Sequence, residues 1–475
     1  MLRRTLRLLI LVLVLAVPAS PAGEEGQVIS VSKSAVDPAR LARQGFDLLM
    51  EKEGRVYIVA GPGDLAALAS GRIAYTIEAP GSLAAGGPAL SADGGLNGAF
   101  HSALELETDI RTLERDFPGL ARVVEIGESL EGRKIWALKI SDNASMDEGE
   151  PAAIFLGCHH AREWISVEVP FLFGKYLLEN YSLSQDVRDL VDGSEIWTVP
   201  IVNPDGLEYS IHVYRYWRKN RRANADGTYG VDINRNYGYR WGFDNIGSSG
   251  NPGSDVYRGT RPFSEPETAA VRDLFADHDF RAAISFHSYS QAIMYPWGYT
   301  TDPAPGDAGL GAIAATMSGL MAAVNGTVYA HGQASRLLYT TNGDTVDWTY
   351  GLRGAPSFTI ELPPVDIDGG GFFNDEAAIG AIFGENLPAM LHLARYALDH
   401  PLPRRRVPSP AIRRTRPIWD EHKILRRDLE PSCRMDGERP EEETHGGSEA
   451  KADRLDGGLV RRSRDLVRPS GPSRR

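Results

Sequence analysis

Ala152-Ala153-Ile154-Phe155-Leu156-Gly157-Cys158-His159-His160-Ala161-Arg162-Glu163 sets an unbroken apolar run directly before a cluster of ionisable side chains. A run without alternation is the pattern of a strand buried on both faces. Open α/β sheets bind ligands at the carboxyl ends of such strands, so the polar residues after Leu156 are the first candidates for a site. His160 and Glu163 stand three positions apart and can converge on one ion from a single turn, although a pair at this spacing is common by chance. The arrangement recurs downstream, where the run Ala282 to Phe286 ends in His287-Ser288-Tyr289-Ser290. Two imidazoles and one carboxylate make a zinc set with an open fourth position for water, as in catalytic rather than structural sites.

Outward from these two strands, patterns of strand and helix alternate over residues 96–400. Strands are expected at Lys134 to Ser141, Ala152 to Gly157, Glu195 to Val202, Ala282 to Phe286 and Ser357 to Glu361. Helices are expected at Ser102 to Phe117, Ser166 to Asn180, Ser264 to Phe280, Ala308 to Val324 and Glu376 to Leu398, with Ser264 and Glu267 spaced as a capping box. The pattern implies an α/β domain. Residues 23–95 hold a smaller unit: strand-like Val28 to Val31, helical Pro38 to Met50, strand-like Val56 to Val59, helical Asp64 to Ser70 and a last strand ending at Ile77. This is a small α+β module, and the Gly/Ala/Ser/Pro-rich stretch between Pro80 and Gly98 reads as a linker.

The ends have a different character. Arg3, Arg4 and Arg7 precede the apolar run Leu8 to Val17, and Ser20-Pro21-Ala22 offers small residues, so residues 1–22 are expected to be a cleaved export signal. That run is too short to cross a bilayer, which takes roughly 20 residues, and no later segment reads as apolar enough. A secreted or periplasmic, monomeric product without stable membrane insertion is expected. Residues 401–475 carry clusters such as Arg404-Arg405-Arg406 and Glu441-Glu442-Glu443 with few large apolar side chains, as expected of a disordered tail. The formal charge of −12 argues against nucleic acid as a partner, since phosphate binding needs a cationic surface. With two cysteines, Cys158 in a strand-like run and Cys433 in the tail, no disulfide framework is implied.

His160-Ala161-Arg162-Glu163-Trp164-Ile165 and His287-Ser288-Tyr289-Ser290-Gln291, 127 positions apart, resemble the metal motifs of the zinc metallocarboxypeptidases of the carboxypeptidase A/B type. The resemblance covers about residues 100–400. It implies a mixed, mostly parallel twisted sheet covered by helices on both faces, one zinc held by His160, Glu163 and His287, and peptides with a free C-terminus as substrates. It further implies that Arg218 stabilises the oxyanion, that Asn234 and Arg235 grip the terminal carboxylate, and that Asp232 orients His160. Glu361 would be the general base and Tyr339 the tyrosine that covers the terminal residue, while Arg162 and Tyr289 would line neighbouring subsites. An arginine next to an amide suits a planar carboxylate for a physical reason too, because the guanidinium forks onto both oxygens.

Preference for the terminal side chain stays open between two residues. Val346 favours apolar or aromatic ends, whereas Asp344 could attract Lys or Arg; a mixed or apolar preference is expected. Also open is whether the N-terminal module blocks the cleft as a removable propeptide or stays attached. Competing readings are a zinc amidohydrolase of the same fold, acting on acylated amino acids or cell-wall peptides, and an inert binding homologue.

Overall fold

The computed structural model describes residues 27–44, 46–52, 54–77, 96–366 and 369–400. The expected export signal, most of the linker, the tail and Cys433 lie outside them. The small module comprises β1 (Gln27–Ser32), α1 (Pro38–Arg43), β2 (Asp47–Lys52), β3 (Arg55–Ala60), α2 (Pro62–Ser70) and β4 (Tyr75–Ile77). Its antiparallel sheet has the order β2-β3-β1-β4. Strand alternation gives the sheet two apolar faces. Ile29, Val31, Val56, Ile58 and Ala60 pack with Leu41, Phe46 and Leu68 into the module's own core, while Val28 and Val59 turn outward onto Tyr289 and Phe372 of the large domain.

The large domain runs through α3 (Ala103–Asp116), β5 (Ala121–Glu128), β6 (Lys134–Ile140), β7 (Ala152–Leu156), α4 (Ile165–Asn180), α5 (Gln185–Val191), β8 (Glu195–Val199) and α6 (Pro204–His212). It continues with α7 (Pro266–Asp277), β9 (Phe280–Ser288), β10 (Ala292–Tyr295), α8 (Asp307–Asn325), β11 (Ala330–Gln333), α9 (Ala334–Leu337), α10 (Thr345–Arg353), β12 (Ser357–Leu362) and α11 (Ile379–Asp399). Eight strands form one sheet in the order β11-β10-β12-β9-β7-β8-β6-β5, and its central four, β12-β9-β7-β8, are parallel. This is the mixed, mostly parallel sheet that the resemblance implies.

Both faces are covered, which explains the unbroken apolar runs. Ala153 and Phe155 of β7 join one core with residues of α3, α4, α8 and α11. Ala152, Ile154 and Leu156, on the opposite face, pack with Val271 and Phe275 of α7 and Trp348 of α10. A strand with water on one side would have needed a polar residue at every second position.

Three expectations need correction. The helix read over Pro38 to Met50 stops at Arg43, and Asp47–Lys52 is instead a strand paired with β3. Burial of Phe46 in the module's core and the ladder to β3 outweigh local helical propensity, and Gly45 is the stop signal in the sequence. The second correction concerns α7, which starts at Pro266 with Glu265 as its N-cap. Ser264 is outside the helix, and its hydroxyl donates to Glu265 and accepts from Asn236. The third is α8, which is long and apolar enough by composition to cross a bilayer. Leu310, Ile313, Met317 and Met321 bury one face of it in the core, so its apolarity has a packing explanation.

Candidate active site

The carboxyl ends of β7, β9 and β12 lie side by side, and the chain delivers a reactive side chain at each. Gly157 follows the last residue of β7, where a Cβ would sit 2.1 Å from the Ser166 carbonyl oxygen, so a side chain has no room there. That close approach folds the chain over the start of α4, and the Cys158 N–H donates to Ser166 Oγ at 3.0 Å. His159 and His160 follow at the mouth of the strand. On β9, His287 stands in register with Glu361 of β12.

His160, Glu163 and His287 converge and are all buried. His160 Nδ1 lies 2.8 Å from Glu163 Oε1 and 3.1 Å from His287 Nδ1, which in turn lies 2.9 Å from Glu163 Oε2. Two imidazole lone pairs facing each other beside a carboxylate repel unless a cation sits between them. Tetrahedral zinc ligands at about 2.0–2.1 Å from the metal lie roughly 3.3 Å apart, so spacing and donor chemistry both fit zinc. Burial by itself would raise the Glu163 pKa, but the flanking imidazoles overcome it and hold Glu163 below the usual carboxylate range. Burial also lowers the His287 pKa against the pull of Glu163, which favours the neutral imidazole that a metal requires.

Behind this group lies Asp232, fully buried. Its Oδ2 accepts from Arg218 Nε at 3.1 Å and Nη2 at 2.8 Å, and its Oδ1 accepts the Asn234 N–H at 3.0 Å. His160 Nε2 is 3.3 Å from Asp232 Oδ1, an approach too oblique for a full hydrogen bond. Asp232 therefore holds Arg218 more firmly than His160. Burial works to raise its pKa, yet Arg218, Arg235 and His160 together keep it far below the ordinary value.

Arg235 is buried, with Nε donating to the Gly247 carbonyl at 2.9 Å and Nη1 to the Asn234 carbonyl at 2.7 Å. Gly343, at φ +70°, seats the turn before α10 on this arginine, and a Cβ there would fall 2.7 Å from the Arg235 carbonyl oxygen. Arg235 and Tyr339 line one small cavity together with Phe46, Asp47 and Leu48 of the N-terminal module. Glu361 has one buried oxygen, Oε2, without a hydrogen-bond partner among the described residues. Burial and the charge of Glu163 push its pKa well above the ordinary value, against Arg218, Arg162 and Arg235.

Asp344 caps α10, accepting the Asp347 N–H at 2.8 Å on Oδ1 and the Thr341 hydroxyl on Oδ2. Val346 is buried in the first turn of the same helix. Arg162 donates to Asp47 of the module at 2.6 Å, and its guanidinium lies over the Phe372 ring at 4.3 Å. Tyr289 packs edge-on to Phe372 at 4.9 Å.

Several residues here escaped the sequence reading. Asp47 lies within the span Pro38 to Met50 that the sequence pattern reads as helical. Phe372 lies in an irregular segment with no periodic signal. His159 was visible as half of a His-His dipeptide, but Ser285, Tyr237 and Thr345, which surround it, carry no motif that would have marked them.

Residues 106–389 match the family described as zinc carboxypeptidase. The chain is 33% identical to a zinc carboxypeptidase of Saccharothrix mutabilis subsp. capreolus over 368 residues, 74% of this chain and 84% of that one. It is also 33% identical to carboxypeptidase A1 of Rattus norvegicus over 316 residues, 66% of this chain and 74% of that one. In structure it resembles carboxypeptidase A from Helicoverpa armigera, with a TM-score of 0.66 at 25% identity over 80% of this chain and 99% of that one. Thrombin-activatable fibrinolysis inhibitor gives a TM-score of 0.67 at 26% identity, over 79% and 99%. The chain belongs to the zinc carboxypeptidase family, as a metallocarboxypeptidase with one zinc ion per chain.

Proposed function

We propose that this metallocarboxypeptidase is exported, acts as a monomer, and removes single residues from the free C-termini of peptides, with Glu361 as general base. The observation that carries the proposal is the convergence of the His160–Glu163–His287 group with Glu361 on the adjacent strand. When bound to those three residues, zinc supplies a Lewis acid and lowers the pKa of a water toward about 7.

The chain's own residues supply the rest. Glu361, whose buried Oε2 has no partner among the described residues, takes the proton of the attacking water and returns it to the leaving amine. Arg218, held from behind by Asp232 through Nε and Nη2, presents its remaining N–H groups to the oxyanion; losing such a donor typically costs about 2.7–4 kcal/mol. Asn234 and Arg235 bind the substrate carboxylate, and Tyr339 covers the terminal residue. Both oxygens of Asp344 are engaged by Asp347 and Thr341, which supports a mixed or apolar preference over a strictly basic one.

The N-terminal module acts as a removable inhibitory segment in this reading. Asp47 occupies the guanidinium of Arg162, Val28 and Val59 cover Tyr289 and Phe372, and Phe46 to Leu48 border the cavity of Arg235 and Tyr339. A peptide cannot use these groups while the module does.

Blocked dipeptides ending in Phe, Leu, Lys or Arg test the proposal, each paired with its C-terminal amide and assayed before and after cleavage of the chain near residue 95. Expected is chelator-sensitive release of Phe and Leu at least as fast as Lys and Arg, little action on the amides, and a large rise on cleavage. Equal hydrolysis of acids and amides would favour the amidohydrolase reading, and no hydrolysis by the zinc-loaded, cleaved chain would favour the inert homologue. Unchanged activity on cleavage would remove the inhibitory role of the module, and a strict basic preference would overturn the assignment of Asp344.

A further inference from the structure

His159 is fully buried beside the metal group, yet the chemistry above makes no use of it. Its ring lies nearly parallel to that of His287, with centroids 5.6 Å apart and an interplanar angle of 19°. Among the described residues its side-chain hydrogen-bond partners are hydroxyls. Ser285 Oγ is 3.2 Å from Nδ1, while Tyr237 Oη at 2.8 Å and Thr345 Oγ1 at 3.1 Å face Nε2.

The direction of each hydrogen bond follows from groups whose roles are fixed. His287 turns Nδ1 toward His160 and Glu163, and an imidazole that ligates through Nδ1 carries its proton on Nε2. Near that Nε2 are Ser285 Oγ at 3.0 Å and Asn234 Nδ2 at 3.3 Å. An amide nitrogen cannot accept, so Ser285 Oγ takes the His287 proton and turns its own hydroxyl proton to His159 Nδ1. His159 therefore holds its proton on Nε2 and donates it to Tyr237 and Thr345. At the far end, the Thr345 backbone N–H can only donate, which identifies the Asn234 atom 2.9 Å away as the carbonyl oxygen Oδ1. The Thr345 hydroxyl donates to the same oxygen at 2.7 Å. With both acceptor positions of Oδ1 filled, the Asn234 amide cannot flip, and its Nδ2 remains free to donate into the cleft.

We infer that His159 is a positioning residue: through Ser285 it holds the zinc ligand His287, and through Thr345 it fixes the amide of Asn234 for the substrate's terminal carboxylate. It touches neither substrate nor metal. The inference rests in part on the proposed role of Asn234. Its consequence is that metal retention and carboxylate selectivity are physically linked through one neutral imidazole.

Four side-chain changes and one spectroscopic measurement test this. In His159→Phe, which keeps an aromatic ring without nitrogens, zinc should pass to a chelator roughly tenfold faster, in line with the 10–100-fold typical of changes behind a metal ligand. In the chain freed of its module, KM for a free-acid dipeptide should rise about tenfold with kcat within about twofold, and the preference for 3-phenylpropionate over its amide as competing ligands should fall in parallel. Thr345→Val should lose the carboxylate preference alone, and Thr345→Ser should restore it. Because His159→Phe could disturb folding, side-chain nitrogen NMR of the unsubstituted zinc-loaded and zinc-free protein gives a second readout, in which His159 should carry its proton on Nε2 in both. A proton on Nδ1, or a His159→Phe enzyme with unchanged zinc release and carboxylate preference, overturns the inference. Asn234→Ala separates the two claims: if it leaves the acid-over-amide preference intact, the role of Asn234 fails, while the zinc-release and NMR results still judge the link from His159 to His287.

Discussion

Two buried aspartate–arginine pairs in this molecule use the same chemistry and differ in what surrounds them. Asp232 and Arg218 belong to one domain, and the Asp232 carboxylate accepts two guanidinium N–H groups and a backbone N–H while lying against His160. Asp47 and Arg162 join the module to the large domain, and among the described residues the Asp47 carboxylate has one hydrogen-bond partner, Arg162 Nη1. Among the described residues Arg162 Nε is left without a partner. Desolvating two charges is repaid only when further hydrogen bonds satisfy them. The first pair meets that condition and forms part of a scaffold. The second meets it incompletely and lies between two separate cores, as suits a contact that is made and then released.

The largest effect expected from this contrast is that of Asp232→Asn. Removing one partner of a well-satisfied buried pair costs about 3–5 kcal/mol and leaves Arg218 without its brace. Thermal unfolding should shift to lower temperature, and kcat/KM should fall by two orders of magnitude or more in the chain freed of its module. A variant with near-normal kinetics would show that Arg218 does not depend on Asp232. Asp47→Asn should act in the opposite direction. Here the large domain keeps its stability, the module's hold weakens, and hydrolysis by the uncleaved chain rises at least tenfold. If the uncleaved variant stays as inactive as its parent, burial of Val28 and Val59 against Tyr289 and Phe372 holds the module and the ion pair is incidental.

The contrast also marks how far the sequence could be read. Apolar runs ending in His160, His287 and Glu361 made both the sheet and the site legible, because a strand buried on two faces leaves no alternation and places its next polar residue at the mouth. Asp232, Asn234 and Arg235 were reached through the motif and lie where the short 3-10 turn Ile233–Arg235 presents them. Strand β2 was not legible. Its residues Asp47–Lys52 have no strong alternation of their own and become a strand through pairing with β3, a contact that local pattern cannot supply. Asp47, the partner of Arg162, was missed along with its strand. Strands β10 and β11, the last two on one side of the sheet, were missed for a related reason, since four residues each are too few to show a period. His159 was seen and left unexplained, because its role depends on hydroxyls at Ser285 and Thr345, distant in sequence.

The smallest expected effect concerns Asp64, which tests whether the module's contact responds to pH. Asp64 is raised to about 6 by burial first, with Asp255 and Asp47 adding to the rise and the Gly61 N–H and Lys219 opposing it. Asp255 belongs to the large domain and is itself raised by burial and by Asp47, so like charges face each other where the two units meet. A carboxyl whose pKa is higher in the docked, folded state than in the free chain binds more protons there. Stability conferred by that proton is therefore present at acid pH and falls as pH rises between about 4 and 6, by at most about 3 kcal/mol. Hydrogen exchange at the β2 amides, followed from pH 4.5 to 7.5, should show protection falling across that interval after correction for intrinsic exchange. Asp64→Asn should flatten the profile and leave the module more protected at pH 7 than in the parent chain. A profile that keeps its slope in Asp64→Asn would move the titration to Asp255, which Asp255→Asn would then remove, and a slope surviving both changes would leave the Asp47–Arg162 contact insensitive to the carboxyls around it.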